Sequence, residues 1–318
     1  MLLRISLAAF LAAAAARADV CSSAPPLRVR FFDVGQGLSA LVSLPDGRKI
    51  LIDTGTAKSQ VRRYYDALKK ELGGKPIDML WITHQHVDHV GGADELMRKI
   101  PVRLFVDNGR TLNVSWVAKA RAEARAKNVP IKVVGPGATT SPLPSSATVR
   151  LTPIVPPSWP NACAHDENEC SIGLRIDFCR SSILFTGDAE EEEEELLDPR
   201  GPATLLQLGH HGSDTSTSQE FLDKVRPRYV VISAGKPGER ANLMYCHPRV
   251  STLERVTRSL GGPGSKAVTG FDASVKCNAA QPANWKAVKV SDRVYATVRD
   301  GDLIFTTRGN GVFKRLLP

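Results

Sequence analysis

The sequence predicts an α/β protein, an αββα sandwich in which two β-sheets pack face to face with helices outside. Two observations predict it. Short strand-like runs fall in two groups, residues 27–134 and 148–307, each interleaved with segments of helical spacing. The opening three strands follow one another without a helix, as in a layered sheet, and no repeat of fixed period runs through the chain. The 318 residues suit one large domain, and 42% hydrophobic with 24% charged residues excludes a disordered or collagen-like chain.

The elements follow in order. Residues 27–32 and 38–44 read as strands around Gly35-Gln36-Gly37, and Pro45-Asp46-Gly47 is a turn before strand 49–52, which ends at Asp53-Thr54-Gly55. Val61, Tyr64, Tyr65 and Leu68 give residues 58–72 helical spacing, closed by Gly73-Gly74. Residues 79–83 form a continuous apolar strand of the kind buried on both faces. A short helix, strand 102–107, helix 114–127 and strand 132–134 come next, then a Gly-, Pro- and Ser-rich loop at 135–146. Strands at 148–154, 171–178, 182–186, 204–208 and 229–233 alternate in the second half with helices at 190–197, 217–225 and 249–260. The tail reads as a hairpin, 294–299 and 302–307, turned by Asp300-Gly301.

Residues 1–18 are expected to be a signal peptide and 19–318 the folded domain. A basic start at Arg4, an apolar run from Ile5 to Ala16 and the small-x-small end Ala16-Arg17-Ala18 fit secretion, and the run is short for a membrane span. Asp19 leaves no lipoprotein pattern before Cys21. The protein is therefore expected to be secreted or periplasmic, with no stable membrane insertion. Loss of Arg4 and Arg17 lowers the formal charge from +9 to +7, an excess that favours anionic partners. All six cysteines, at 21, 163, 170, 179, 246 and 277, lie beyond the signal and none is in CxxC spacing, so disulfides are expected rather than a zinc knuckle. Cys246 adjoins His247, and a bridge from it, with Cys277 as one partner, would pin that loop.

Chemistry concentrates at His84, His86, Asp88 and His89, which follow the buried strand directly. Alternation lets His84 and His86 point the same way, and the turn into a helix brings Asp88 and His89 round to a second metal. Imidazole and carboxylate suit zinc, with manganese or iron as alternatives. His210 and His211 end another apolar strand. One is expected to be a ligand and the other a donor to the substrate or leaving group. The acidic run Glu190–Glu195 points all round a helix axis, so it reads as a solvated face rather than a metal site.

HxHxDH is the signature of the metallo-β-lactamase fold. The sequence resembles, more narrowly, the metallo-β-lactamase-like domain of the ComEC DNA-uptake protein and its free-standing secreted relatives. The matching stretches are Phe32–Gly37, Leu51–Gly55, Thr83–Gly92, Asn168–Ser171, Leu184–Asp188, Gly209–Ser213, Cys246–Pro248 and Val294–Thr297, nearly the whole span from 28 to 312. The resemblance implies two divalent ions, zinc or manganese. It makes His84 and His86 ligands of the first, Asp88 and His89 ligands of the second, and Asp188 the carboxylate bridging both. Asp53 would orient a ligand histidine through its other N–H, and His247 would complete the second metal. Two departures stand out. No histidine occupies the usual middle ligand position, since His165 is the one histidine in that interval and does not precede a strand end. Asn168 and Ser171 match the relatives there instead. Leu38 also stands where the relatives carry an acid.

A paired metal site presents hydroxide from bound water and polarises the oxygen under attack. The expected function is an exported two-metal hydrolase acting on nucleic acid or another phosphodiester, with Asp88, His210 and His211 as catalytic groups. A lactonase or β-lactamase-like hydrolase of small molecules is the second reading and a non-catalytic metal-binding module the third. Arg62, Arg63, Lys236 and Arg240 are expected near the entrance as phosphate contacts, and Tyr64, Trp116 or Tyr245 as a platform for bases.

Overall fold

The computed structural model describes residues 21–56, 59–110, 115–238, 242–272, 277 and 282–317, residues 59–63 by their backbone alone. The expected signal segment and Arg240 lie outside the described residues, as do the side chains of Arg62 and Arg63. In chain order the elements are β1 (Leu27–Phe31), β2 (Ala40–Ser43), β3 (Lys49–Ile52), α1 (Ser59–Leu72), β4 (Met79–Trp81), α2 (Val87–Val90), α3 (Ala93–Lys99), β5 (Phe105–Asp107), α4 (Ser115–Ala126) and β6 (Ile131–Val133). The second half continues with β7 (Val149–Ile154), β8 (Gly173–Phe178), β9 (Ser181–Phe185), α5 (Glu191–Leu196), β10 (Leu205–Gln207), α6 (Gln219–Val225) and β11 (Tyr229–Ile232). Then come α7 (Asn242–Tyr245), α8 (Val250–Ser259), β12 (Lys266–Phe271), β13 (Trp285–Val290), β14 (Val294–Ala296), α9 (Thr297–Asp300), β15 (Leu303–Thr307) and β16 (Lys314–Leu316).

An eight-stranded sheet runs β16-β15-β1-β2-β3-β4-β5-β6, a six-stranded sheet runs β14-β11-β10-β9-β8-β7, and β12 and β13 form a separate ribbon. The apolar stretch Met79–Ile82 shows why the layers form. Met79 and Trp81 enter the core between the sheets, with Phe31, Phe185, Ile176 and Phe305. Leu80 and Ile82 face the other way, against Tyr64 and Leu68 of α1 and Leu96 of α3. Both faces are covered, so no polar alternation is needed. Trp81 also donates from Nε1 to the Ile172 carbonyl at 2.8 Å, which ties the two sheets across the core. On the far side of the small sheet, Phe221 and Leu222 of α6 and Leu253 and Val256 of α8 close a third apolar layer.

β3, β4 and β5 are mutually parallel, as are β9, β10, β11 and β14. Their carboxyl ends deliver the loops at 53–55, 83–89, 186–188, 209–213 and 233–235 to one edge of the sandwich.

The expected C-terminal hairpin does not form. Val294–Ala296 pairs parallel with β11 in the small sheet, whereas Leu303–Thr307 pairs antiparallel with β1 in the large one. The turn of helix α9 and Gly301 (φ 66°) carry the chain from one sheet to the other, and Asp300 Oδ2 accepts from the Ala296 amide at 3.1 Å. Each run thus finds a buried neighbour that a two-stranded ribbon would lack. The ribbon of β12 and β13 and the edge strand β16 were not expected. Three disulfides join Cys21 to Cys179, Cys163 to Cys170 and Cys246 to Cys277, with no free cysteine among the described residues. Among those residues no helix is long and apolar enough to cross a membrane.

Candidate metal centre

Asp53 follows β3 in the left-handed region (φ 53°) and is fully buried. Its Oδ1 accepts from the Thr83 amide at 2.8 Å, and its Oδ2 accepts from Thr83 Oγ1 and from His89 Nδ1, each at 2.7 Å. Thr83 Oγ1, having donated its proton to Asp53, has lone pairs left for His84 Nδ1 at 3.2 Å. One buried carboxylate and one hydroxyl thereby fix the tautomers of two histidines. Their remaining nitrogens carry lone pairs.

Those lone pairs meet. His89 Nε2 lies 3.1 Å from His211 Nε2, and each lies 3.1 Å from Asp188 Oδ2. His211 Nδ1 is committed as a donor to the Ser233 carbonyl at 2.7 Å, which leaves its Nε2 for a proton or a metal ion. His211 Nε2 is 3.3 Å from Asp88 Oδ2, His84 Nε2 is 4.0 Å from Asp188 Oδ2, and His84 Nε2 is 3.1 Å from His86 Nδ1. Asp188 Oδ1 is buried and has no hydrogen-bond partner. Two carboxylates and two imidazole nitrogens crowded this closely need cations between them, protons or metal ions, and a buried acceptor left unsatisfied, as Asp188 Oδ1 is, costs about 1–3 kcal/mol. Two groups have their donor atoms near enough to share an ion: His84, His89 and Asp188, and Asp88, His89 and His211.

Without a metal ion, protons take the place of the cations. Against the burial penalty, Asp188 and Asp53 hold His89 well above the ordinary imidazole value, and Asp188 and Asp88 push His211 up to about 9. Burial and the neighbouring His89 push His84 well below it. Despite burial, His211 and His89 keep the Asp188 carboxyl well below its usual range. Protons and metal ions compete for the same lone pairs.

Backbone geometry brings these loops together. Gly187 (φ 62°) passes so close to β4 that a Cβ would lie 2.6 Å from Thr83 Cβ. Gly37 (φ 133°) approaches Asp88 until a Cβ would sit 2.5 Å from its carbonyl oxygen, while the Leu38 amide donates to that oxygen at 3.2 Å. The Gly35-Gln36-Gly37 loop is thus a brace for Asp88, in which Leu38 serves with its backbone. His210 (φ 42°) and His211 (φ 54°) both adopt the left-handed conformation, which turns their rings apart.

The paired histidines take different places. His211 is buried in the cluster. His210 is part-exposed beside it, its Nδ1 2.6 Å from Glu190 Oε1 and its Nε2 3.9 Å from Asp188 Oδ2. His86 and His247 both stand outside the two ligand groups: His86 has its Nδ1 beside His84 Nε2, whereas His247 is buried with its Nδ1 3.4 Å from Gln36 Nε2 and its ring 6.3 Å from that of His211. His165 is exposed. Asn168 donates to Glu190 Oε1 at 3.3 Å, and Ser171 Oγ accepts from the Asp188 amide at 3.2 Å.

The acidic run is not a solvated face throughout. Glu193 and Glu194 are buried, since neighbouring loops need acceptors for their amides. Glu193 takes the Ser171 amide at 3.1 Å, and Glu194 takes those of Thr217 at 2.6 Å and Ser218 at 2.8 Å. Three groups at the site were not anticipated: Thr83, Ser233 and Glu190. Only Thr83 carries a sequence signal, since it immediately precedes HxHxDH. Tyr64 is buried with its hydroxyl on the Thr54 carbonyl, and Trp116 packs into the helix-side core, so neither faces the site. Lys236 is exposed in the loop after β11.

A sandwich of this topology with such a centre defines a class, and the chain belongs to the metallo-beta-lactamase superfamily, whose family model matches residues 32–236. Members of the superfamily are metal-dependent hydrolases. Its homologues are competence proteins of the ComEC type. Recombination protein 2 of Haemophilus influenzae is 28% identical over 259 residues, covering 78% of this chain and 29% of that one. ComE operon protein 3 of Bacillus subtilis is 30% identical over 248 residues (72% and 30%), and competence protein ComA of Neisseria gonorrhoeae 32% over 236 (72% and 29%). The chain therefore spans about 30% of the length of these curated relatives.

Proposed function

We propose that the protein is an exported phosphodiesterase that cuts nucleic acid at a two-metal centre. The observation that carries the reading is the convergence of the Asp88, His89 and Asp188 ligand atoms to within 3.1–3.3 Å of His211 Nε2. His84, His86 and Asp188 would hold one divalent ion, and Asp88, His89 and His211 the second, with Asp188 shared between them. Zinc or manganese bound there would lower the pKa of a water and polarise the phosphoryl oxygen under attack.

The chain's own groups supply the rest. Asp88 Oδ2, 3.3 Å from His211 Nε2, orients the attacking water. His210, part-exposed with its Nδ1 2.6 Å from Glu190 Oε1, stands where it can give a proton to the leaving oxygen. His247, buried beside the His210 ring, neighbours the centre without being a ligand in this reading. Similarity to competence proteins and the basic excess favour nucleic acid over a neutral small molecule, and three disulfides with the signal-like start favour export.

The test is hydrolysis of single-stranded DNA, double-stranded DNA, a small phosphodiester and a lactone by zinc- and manganese-loaded protein at several salt concentrations. Diester turnover that disappears in Asp188→Ala and weakens on DNA as salt rises supports the reading. Salt-independent lactone turnover with no diester turnover hands the site to the small-molecule reading. Metal binding without any turnover makes it a binding module.

A further inference from the structure

Beside the metal centre the chain exposes an apolar lip. In α7, Leu243 is 50% exposed, Met244 74% and Tyr245 39%, a density of bare apolar surface found in few other places among the described residues. The root of the lip is rigid. Asn242 is fully buried, its Nδ2 donates to the Gly235 carbonyl at 2.8 Å and the His247 carbonyl at 2.7 Å, and its Oδ1 accepts from the His247 amide at 2.8 Å. On the other side Cys246 is bridged to Cys277. A bare tip on a braced root is the build of a contact surface.

Its position says what it contacts. The Tyr245 ring lies 6.3 Å from the His247 ring, which lies 4.9 Å from His210 and 6.3 Å from His211. Burial and the charges of Asp88 and Asp188 both push the Tyr245 hydroxyl up, so the phenol stands within the field of the two carboxylates. Lys236, whose carbonyl meets Asn242 Nδ2 at 3.4 Å, is exposed at the same root. A ligand reaching the metal centre past this lip meets a flat aromatic face, two flexible aliphatic side chains and one cation. That set matches a nucleotide: a base for the ring and a phosphate for the ammonium.

We infer that Tyr245, flanked by Leu243 and Met244, is the stacking platform for the unpaired base next to the scissile phosphodiester, and that the site therefore selects single-stranded nucleic acid. The inference rests on the phosphodiesterase reading and adds a substrate class to it. A paired base keeps its faces inside the duplex stack and cannot use the ring, so double strands gain nothing from the lip.

The test compares a single-stranded oligonucleotide with a short abasic diester, deoxyribose phosphates carrying no base or other ring to stack, on the metal-loaded full chain. Tyr245→Ala should lower the ratio of kcat/KM on the oligonucleotide to that on the small diester by about tenfold, mainly through KM. Tyr245→Trp should restore the ratio, and wild type should prefer single to double strands. An equal fall on both substrates means that Tyr245 only supports the centre, and no fall means that the lip is idle; either overturns the inference. If wild type cleaves neither diester, the phosphodiesterase reading has failed by itself. Anisotropy of a labelled oligonucleotide then decides for the lip, with affinity that is equal in wild type and Tyr245→Ala counting against it.

Discussion

The Asp53 carboxylate accepts a 2.7 Å hydrogen bond from His89 Nδ1, and that contact determines which nitrogen of the imidazole is left for a metal. Without it the ring could protonate on either nitrogen, and half of its orientations would present a donor to Asp188. Asp53→Asn keeps the size and tolerates the left-handed backbone, but its amide can offer a donor where Nδ1–H needs an acceptor. Zinc affinity should fall by about 10- to 100-fold, measured by competition with a chromophoric chelator, with the far-ultraviolet spectrum unchanged. Unaltered affinity would remove Asp53 from the centre.

The disulfides differ in what they close. Cys21 and Cys179 are 158 residues apart, Cys163 and Cys170 only 7. Loop entropy in the unfolded chain grows with the logarithm of that separation, to roughly 5 kcal/mol for the longer loop against about 2–3 for the shorter. The Cys21→Ser/Cys179→Ser pair should therefore lower the urea midpoint more than Cys163→Ser/Cys170→Ser. The opposite order would mean that local packing, not chain entropy, sets their worth.

How much of this was legible in the sequence depends on how local the cause is. His84, His86, Asp88 and His89 could be read because they are contiguous and follow an apolar run whose burial is itself a local pattern. The αββα layering followed from the same runs. His210 and His211 could not be told apart, because both sit in left-handed backbone and the choice is made by Ser233 on one side and Glu190 on the other, neither adjacent in sequence. Glu193 and Glu194 look solvated in a run of acids, and only the amides of Ser171, Thr217 and Ser218, from distant loops, explain their burial. Asp300-Gly301 carries an ordinary hairpin signal, and what overrides it is the pairing each flanking strand finds in a different sheet.

Glu194 should impose a pH dependence on stability. Burial raises its carboxyl to about 7 in the folded protein, against 4.5 for the free group, although it accepts from the Ser218 and Thr217 amides. The folded state therefore holds a proton that the unfolded state has released between those two values. Stability from this group is fully present below about 4.5 and is lost as pH rises through about 7. Wild type should accordingly lose more stability between pH 5 and pH 8 than Glu194→Gln, which cannot titrate, in chemical denaturation of the metal-loaded form at roughly those two values. Parallel curves for the two proteins would show that Glu194 is not protonated on folding.

The last prediction separates three histidines whose ligand roles the sequence left open. His211 Nε2 lies 3.3 Å from Asp88 and 3.1 Å from Asp188, with Nδ1 held by the Ser233 carbonyl, so its lone pair is aimed and its tautomer fixed. His247 has Nδ1 against Gln36 and lies in neither ligand group, and burial with the nearby His210 holds it well below the ordinary imidazole value. His210 faces Glu190. Elemental analysis should find two ions per chain in wild type, and His211→Ala should lose one of them. His247→Ala and His210→Ala should keep both, because removing a ring that holds no ion leaves the lone pairs of His89, Asp88 and Asp188 in place. The losses in turnover should then divide differently. In His211→Ala activity should fall together with metal content. In His210→Ala kcat should fall at full metal content and should recover when the diester carries a leaving group too acidic to need a proton, since general-acid help matters least there. Loss of an ion in His247→Ala with both retained in His211→Ala would exchange the two assignments and return His247 to the ligand position that the family resemblance implied.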